Sequence, residues 1–216
     1  MDLPIPLTAR SVSRLRSINI SKLPEWQNDM ITGLIHLRDG EDYIDNGGRY
    51  EKAYDRLLAA YRGLLRSQHK KNQKSKDNAI LARICLWIGI SLNENVSILD
   101  KVARNIDAIA WYRRGLGYCD NDRDDRNTLI TRASLNNSMG VAYHHKNGYP
   151  IGAVSFRYYE RARELYRQDV NNRELVAIMK KVESNSGHAI TRSVKSVKIV
   201  ERVGGSSTFR SFNVVV

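Results

Sequence analysis

The sequence is poor in the residues that interrupt helices or cross-link chains. Four prolines in 216 residues leave long stretches without a helix breaker, which indicates a mostly α-helical protein. The two cysteines, Cys85 and Cys119, cannot form a disulfide framework, and Cys85 lies in an apolar run where a buried thiol is expected. These features favour an intracellular protein, with the cytoplasm expected and the mitochondrion or the nucleus as alternatives.

Long hydrophobic runs and catalytic motifs are also missing. No apolar stretch approaches the roughly 20 residues of a membrane span, and neither a phosphate-binding loop nor a nucleophile signature is present. His144 and His145 are adjacent, so their side chains diverge on a helix, and no third ligand stands at metal-binding spacing. The acidic run 120–125 lacks the pattern of a calcium loop. We therefore expect no enzymatic activity, no cofactor, no metal site and no membrane span.

The formal net charge of +12 is concentrated in three segments of the sequence. Residues 1–22 carry +3, residues 69–76 carry +4 and residues 188–216 carry +4, which leaves the rest of the chain almost neutral. Such charge is typical of proteins that bind nucleic acids or other acidic partners. The sequence places it in the tails and in one linker, not on a continuous face of the fold.

The N-terminal segment has a helical pattern of its own. Ala9, Val12, Leu15 and Ile18 recur every three residues among serines and arginines, as in a basic amphipathic helix that forms on a partner or in a mitochondrial presequence. The alternatives are a disordered arm and an arm that packs across the rest of the protein.

The most informative stretch, residues 135–168, is predicted to form two amphipathic helices folded back on each other. The first contains Met139, Gly140 and Tyr143, and the second has a small, an aromatic and a small residue at offsets 0, +4 and +7, namely Ser155, Tyr159 and Ala162. Small residues are needed where two helix backbones approach closely. This pattern resembles the tetratricopeptide repeat, a helix–turn–helix unit that stacks into protein-binding arrays.

Related patterns occur twice earlier in the chain. In the first unit, Ala53, Leu57 and Ala60 match the pattern of the second helix. In the second unit, Ile88, Gly89 and Leu92 match the first helix, and Ala108, Tyr112 and Gly115 match the second. The 47 residues from Ala108 to Ser155 and the 51 from Gly89 to Gly140 exceed the repeat length of about 34 residues in that family. The helices or turns are therefore expected to be extended.

The predicted fold is all-α, a short α-solenoid of three helix–turn–helix units within residues 23–187. A capping helix with an apolar stripe is predicted to close the array, and its members are Leu175, Ile178, Met179 and Val182. A basic arm, residues 1–22, and a basic, β-branched tail, residues 188–216, are expected to be non-helical or partly ordered.

The resemblance also implies a binding groove lined by the first helix of each unit. Its members are Met30, Leu34, Leu37, Arg38, Arg83, Leu86, Ile90, Asn93, Asn137, Val141, His144 and His145. Positions that clamp a peptide carboxylate in chaperone-binding members carry Met30, Leu34 and Trp87 here, so no such clamp is expected. A groove this apolar suits an amphipathic helix or a hydrophobic segment. The alternative is that these residues are core, or are covered by the N-terminal arm.

Two hypotheses for function emerge. The first is a non-enzymatic adaptor, scaffold or assembly factor that holds a segment of a protein partner in this groove. The second is an RNA-associated component of a ribonucleoprotein that contacts phosphates through basic residues, namely Lys70, Lys71, Lys74, Lys76, Lys195 and Lys198. The scarcity of aromatic residues among these basic positions favours the first hypothesis, because single-strand binding normally uses aromatic stacking platforms.

Overall fold

A computed structural model of the chain describes residues 9–71, 78–95, 101–120, 126–146, 153–169, 173 and 175–185. Within this part of the chain the regular structure is entirely helical, so the predicted all-α class is confirmed. The helices are α1 (Ala9–Arg16), α2 (Glu25–Asp45), α3 (Tyr50–Lys71), α4 (Asn78–Glu94), α5 (Lys101–Asp120), α6 (Arg126–Lys146) and α7 (Ala153–Gln168), with a 3-10 turn at Ile20–Lys22. Residues 175–185 are also helical and form α8.

The boundaries of α2 follow from local chemistry. Pro24 is the N-cap residue of α2 and Glu25 lies in its first turn, where a carboxylate interacts favourably with the helix dipole. After α2 ends at Asp45, Gly48 adopts a φ of 59° and its N–H donates to the Ile44 carbonyl. A left-handed residue at this place favours glycine. The start of α2 near Pro24 and its end before residues 46–48 thus follow from local backbone preferences.

The helices pack as successive pairs along the chain. Helix α2 packs on α3, α4 on α5, and α6 on α7. Each pair contacts the next, because α3 and α5 each touch the following first helix and α4 touches both α2 and α6. We call α2, α4 and α6 the first helices, and α3, α5 and α7 the second helices.

Glycine at the contact positions explains the close approach within each pair. A Cβ atom on Gly89 would overlap the ring of Tyr112, and a Cβ atom on Gly140 would overlap the ring of Tyr159. Both tyrosines are almost completely buried. The Ser155 hydroxyl donates to the Gly140 carbonyl at 2.8 Å, so this small residue also satisfies a buried polar group. The predicted pairing of small and aromatic positions is therefore confirmed in the second and third units.

Helix α4 lies at the centre of the core, as its apolar sequence predicts. Twelve of its residues are buried, because α2, α3, α5 and α6 all pack against it. A helix that is apolar nearly all round requires such surroundings. The thiol of Cys85 is buried within it, and burial raises the pKa of this group to about 12, so the thiol stays protonated and unreactive at neutral pH.

The N-terminal arm, which was expected to be non-helical or partly ordered, forms a helix over residues 9–16. Helix α1 packs on α2, and Val12 and Leu15 are 3% and 5% exposed. Arg16 forms an ion pair with Asp39 of α2. The period of three that the sequence shows in this segment marks the buried face of α1, so the alternative in which the arm packs on the helices applies.

At the other end, α8 covers α7 as the predicted capping helix should. Leu175 and Val182 are fully buried, and Val182 belongs to a cluster with Tyr159 and Ala162 of α7. Ile178 packs against the same cluster. The predicted apolar stripe is thus confirmed at these positions, whereas the tail at residues 188–216 lies outside the described residues.

Candidate functional site

The predicted groove is largely buried in its first unit. Leu34 and Leu37 are 1% and 0% exposed, so neither can contact a partner without local rearrangement. Met30, Leu86 and Asn137 are buried as well. The half-buried members are Arg38, Arg83, Ile90, Asn93, Val141 and His144; the side chain of His145 lies outside the described part. The prediction of a continuous apolar groove is therefore corrected, because its largest apolar members belong to the core.

Two predicted groove residues converge on a buried carboxylate. Arg83 Nε donates to Glu41 Oε1 at 2.6 Å, and Arg38 approaches Glu41 Oε2 at 3.8 Å. Glu41 is 1% exposed. Burial raises the pKa of its carboxyl group, and the charges of Arg83 and Arg38 oppose that rise. This arrangement joins α2 to α4, so both arginines are engaged inside the protein.

The predicted basic linker is shorter than the sequence indicates. Helix α3 continues to Lys71, and Lys70 Nζ lies 3.0 Å from Asp29 Oδ2 of α2. Hydrogen bonds to Glu25 and Asp29 raise the pKa of Lys70. Lys70 therefore pairs within the helix hairpin. The side chain of Lys71 is outside the described part, as are the other predicted phosphate contacts Lys74, Lys76, Lys195 and Lys198.

The described helices differ in charge according to their place in each pair. The second helices hold 14 basic and 6 acidic residues, a net of +8, whereas the first helices hold 5 and 7, a net of −2. In addition to the basic segments 1–22, 69–76 and 188–216, the structure thus shows a segregation of charge between the two helix types.

Aromatic side chains lie among the basic residues of the second helices. The ring of Tyr61 in α3 meets the ring of Trp111 in α5 edge to face, with centroids 5.1 Å apart. The guanidinium of Arg114 lies 4.6 Å from the Trp111 ring centroid and 5.9 Å from that of Tyr61. At these distances cation–π attraction holds the arginine against the rings. We call Tyr61, Trp111, Arg114 and Tyr118 the first aromatic–arginine cluster.

A second aromatic–arginine cluster follows at the junction of α5, α6 and α7. Tyr143 and Tyr158 are stacked, with centroids 5.5 Å apart and ring planes within 8°. Arg161 lies 5.5 Å from the Tyr158 centroid. The guanidinium of Arg113 lies 6.0 Å from the ring centroid of Tyr143 and donates a hydrogen bond to the Tyr143 hydroxyl. Arg113, Arg114 and Arg161 are exposed, and their aromatic partners are half-buried.

The repeat places the two clusters at equivalent positions. Trp111 and Tyr158 are 47 residues apart, as are Arg114 and Arg161, and this is also the spacing from Ala108 to Ser155. The motif is thus an aromatic residue followed three positions later by arginine, on the same face of α5 and of α7. The sequence contains this signal. A search for contiguous basic runs misses this motif, because the aromatic residue and the arginine lie about one helical turn apart.

A cavity of about 290 Å³ adjoins the first cluster. It is lined by Tyr54, Leu92, Asp107, Ala110, Trp111 and Arg114. Aromatic, apolar, acidic and basic groups therefore meet at one place between α3, the end of α4 and α5. In the part of the chain that the structure covers, no group of three His, Cys, Asp or Glu residues is arranged to bind a metal. No described helix combines the length and the apolar character required to cross a bilayer.

The fold and these surfaces define the protein as an all-α molecule of consecutively packed helix pairs with basic, aromatic-bearing second helices. Comparisons of the chain with protein-family models, with curated proteins and with solved structures find no match. Function is therefore inferred from the surfaces themselves.

Proposed function

We propose that this protein is a non-enzymatic helical-repeat scaffold, similar in organisation to tetratricopeptide-repeat proteins, that binds single-stranded nucleic acid within a ribonucleoprotein complex. The observation that carries the proposal is the close contact between exposed arginines and half-buried aromatic rings on α5 and α7. The clearest example is Arg114, which lies over the ring of Trp111. Phosphates would pair with the guanidinium groups, and bases would stack on the rings.

Charge and chemistry both support this partner. The second helices carry a net +8, which attracts a polyanion and accelerates its encounter with the surface. None of the ion pairs between described residues engages Arg113, Arg114 or Arg161. Arg113 uses one Nη2 donor on the Tyr143 hydroxyl, and its remaining guanidinium donors and those of Arg114 and Arg161 would serve phosphate oxygens. The sequence hypothesis disfavoured nucleic acid because aromatic residues are scarce around the basic runs, whereas side-chain contacts on α5 and α7 place aromatic rings beside exposed arginines, which supports the proposal.

The groove-binding adaptor is supported less well. Its apolar anchors Leu34 and Leu37 are buried in the core, and the arginines at its edge are held by Glu41. A hydrophobic peptide would find little accessible apolar area on this side. Since binding by burial yields about 25 cal/mol per Å² of apolar surface, the predicted groove offers a weak driving force.

The salt dependence of binding tests the proposal. We expect the full chain to bind a fluorescein-labelled single-stranded RNA oligonucleotide, with an affinity that falls steeply as salt rises, because bound phosphates release counterions. Replacing Arg113, Arg114 and Arg161 with alanine removes three contacts. For single strands this should reduce the slope of log K against log salt by about 2. Fluorescence anisotropy at several salt concentrations measures both quantities.

A matched variant controls for the loss of charge. Arg14, Arg49 and Arg173 are also exposed and lie outside the second helices, so their replacement with alanine should leave most of the slope intact. Equal losses in the two triple variants would show general electrostatic attraction without a defined surface. Failure of the wild-type chain to bind any single strand, together with retention of a protein partner from its own cells after nuclease and high salt, would favour the adaptor instead.

A further inference from the structure

We infer that the cavity beside Trp111 is a binding pocket for a single nucleobase and that Asp107 gives it a preference for guanine. The inference rests on the proposed function, since it assigns one base of the bound strand to a place on the surface. Its lining includes the aromatic residues Tyr54 and Trp111 and the charged residues Asp107 and Arg114.

The size and lining of the cavity suit one flat heterocycle. At about 290 Å³ it lies at the lower end of small-molecule pockets, which span about 300–1,000 Å³. Leu92 and Ala110 supply apolar lining, so a base that enters exchanges water for apolar contact. Base stacking on an aromatic ring tolerates any base, because every base has a π face.

Trp111 is held in place before any ligand arrives. Tyr61 packs edge-on against it with ring planes at 89°, and the Tyr61 hydroxyl is in turn bonded to that of Tyr118 at 2.9 Å. A ring that is already fixed loses little side-chain entropy when a base stacks on it. Arg114 is exposed and lies 4.6 Å from the Trp111 ring centroid, so a base that stacks on the covered face must displace the guanidinium, which can then meet the phosphate attached to that base.

Asp107 determines which edge of the base is favoured. Its side chain is exposed and makes no ion pair with another described residue. An ionised carboxylate accepts hydrogen bonds and donates none. Guanine offers two adjacent N–H donors that match its two oxygens, whereas adenine, cytosine and uracil each offer fewer donors to one carboxylate. A paired contact of this kind discriminates between bases more strongly than a single hydrogen bond.

The same position in the second cluster differs, which gives an internal comparison. At the 47-residue spacing Val154 of α7 corresponds to Asp107, and Val154 is 42% exposed. A valine side chain cannot accept a hydrogen bond, so the second cluster has no acceptor at this position with which to select a base. One guanine-preferring position is therefore expected within a site that is otherwise tolerant of sequence.

The test uses labelled uridine oligonucleotides that carry one central guanosine, one central inosine or neither. Inosine lacks the 2-amino group of guanine and keeps its ring. We expect the wild-type chain to bind the guanosine strand about fivefold more tightly than the inosine strand, at the low end for a paired contact because Asp107 is exposed. Asp107→Asn should abolish that difference, while Asp55→Asn, an exposed acid of α3 outside the cavity, should preserve it.

Variants of Trp111 test the stacking surface separately. Trp111→Ala should weaken binding of all three strands by about tenfold, and Trp111→Phe should retain most of the affinity; circular dichroism checks that each variant is folded. Wild-type binding that ignores inosine substitution and both Trp111 changes would overturn the pocket while leaving nucleic-acid binding in place. Absence of wild-type binding to every strand would overturn the pocket and the proposed function together.

Discussion

The hydroxyl oxygens of Tyr61 and Tyr118 lie 2.9 Å apart and join the second helix of the first unit to that of the second unit. Their rings are also in edge contact, with centroids 6.5 Å apart. Tyr61 supports Trp111 at the same time. This hydrogen bond therefore links the stability of the junction between α3 and α5 to the position of the ring that we propose as a stacking surface.

Removing one hydroxyl should destabilise the protein modestly. We expect Tyr61→Phe or Tyr118→Phe to lower the free energy of unfolding by about 1 kcal/mol, the net value of one hydrogen bond. In the double variant the second change should add little, because the bond is already lost. Urea unfolding of the wild type and the three variants completes the cycle, and fully additive effects would show that the two hydroxyls do not interact.

The same pair predicts a loss of stability at alkaline pH. Burial, and then the hydrogen bond with Tyr61, raise the pKa of Tyr118. The folded state thus retains this proton at pH values where the unfolded chain releases it. The contribution to stability is complete below the unfolded value of about 10 and falls as pH rises through that value towards the folded-state pKa. Tyr118→Phe should show a shallower decline above pH 10, and an equal or steeper decline would contradict the assignment.

Glycine to alanine changes separate close packing from helix propensity. Gly89→Ala should cost about 3 kcal/mol or more, because its Cβ would enter the space of the buried Tyr112 ring and a filled core resists added atoms. Gly117→Ala is the control, since a Cβ at Gly117 in α5 meets nothing within 4 Å. It should stabilise the protein by about 0.5–1 kcal/mol. Thermal unfolding of the two variants measures whether each change lowers or raises the stability relative to the wild type.

Variants of the buried ion pair between Glu41 and Arg83 should differ in their free energy of unfolding. Arg83→Met leaves the Glu41 carboxylate buried without its 2.6 Å partner, and breaking such a pair costs about 3–5 kcal/mol. Replacing both residues, as Glu41→Leu with Arg83→Met, should recover much of that loss, because no buried charge remains. If the double variant were as unstable as Arg83→Met alone, an uncompensated charge would not be the cause.

Acid titration checks the state of Glu41. Its pKa is raised by burial despite Arg83, so the folded state holds this proton more tightly than the unfolded chain. The contribution of Glu41 to stability is therefore complete below the ordinary value of about 4.3 and decreases as pH rises through the folded-state pKa. The difference in unfolding free energy between wild type and Glu41→Gln should decrease in the same direction, and an increase with pH would contradict the raised pKa.

The sequence by itself determined the helices and their pairing within units. The spacing of small and large residues specified the contacts of Gly89 with Tyr112 and of Gly140 with Tyr159, because a fixed helical period places residues three and four apart on one face. Pro24 and Gly48 similarly specified the ends of α2, since their backbone preferences are local. The apolar character of α4 was sufficient to place it in the centre.

Tertiary structure alone decided which surfaces remain accessible. Leu34 and Leu37 match a groove pattern, yet they are buried in the core, and Lys70 in a basic run pairs with Asp29. Conversely, Arg114 comes near Tyr61, 53 positions away in sequence, because side chains of α3 and α5 meet across the junction of the first two units. Periodicity reports which residues share a face of one helix, but the neighbour that covers or extends that face is set by contacts between distant segments.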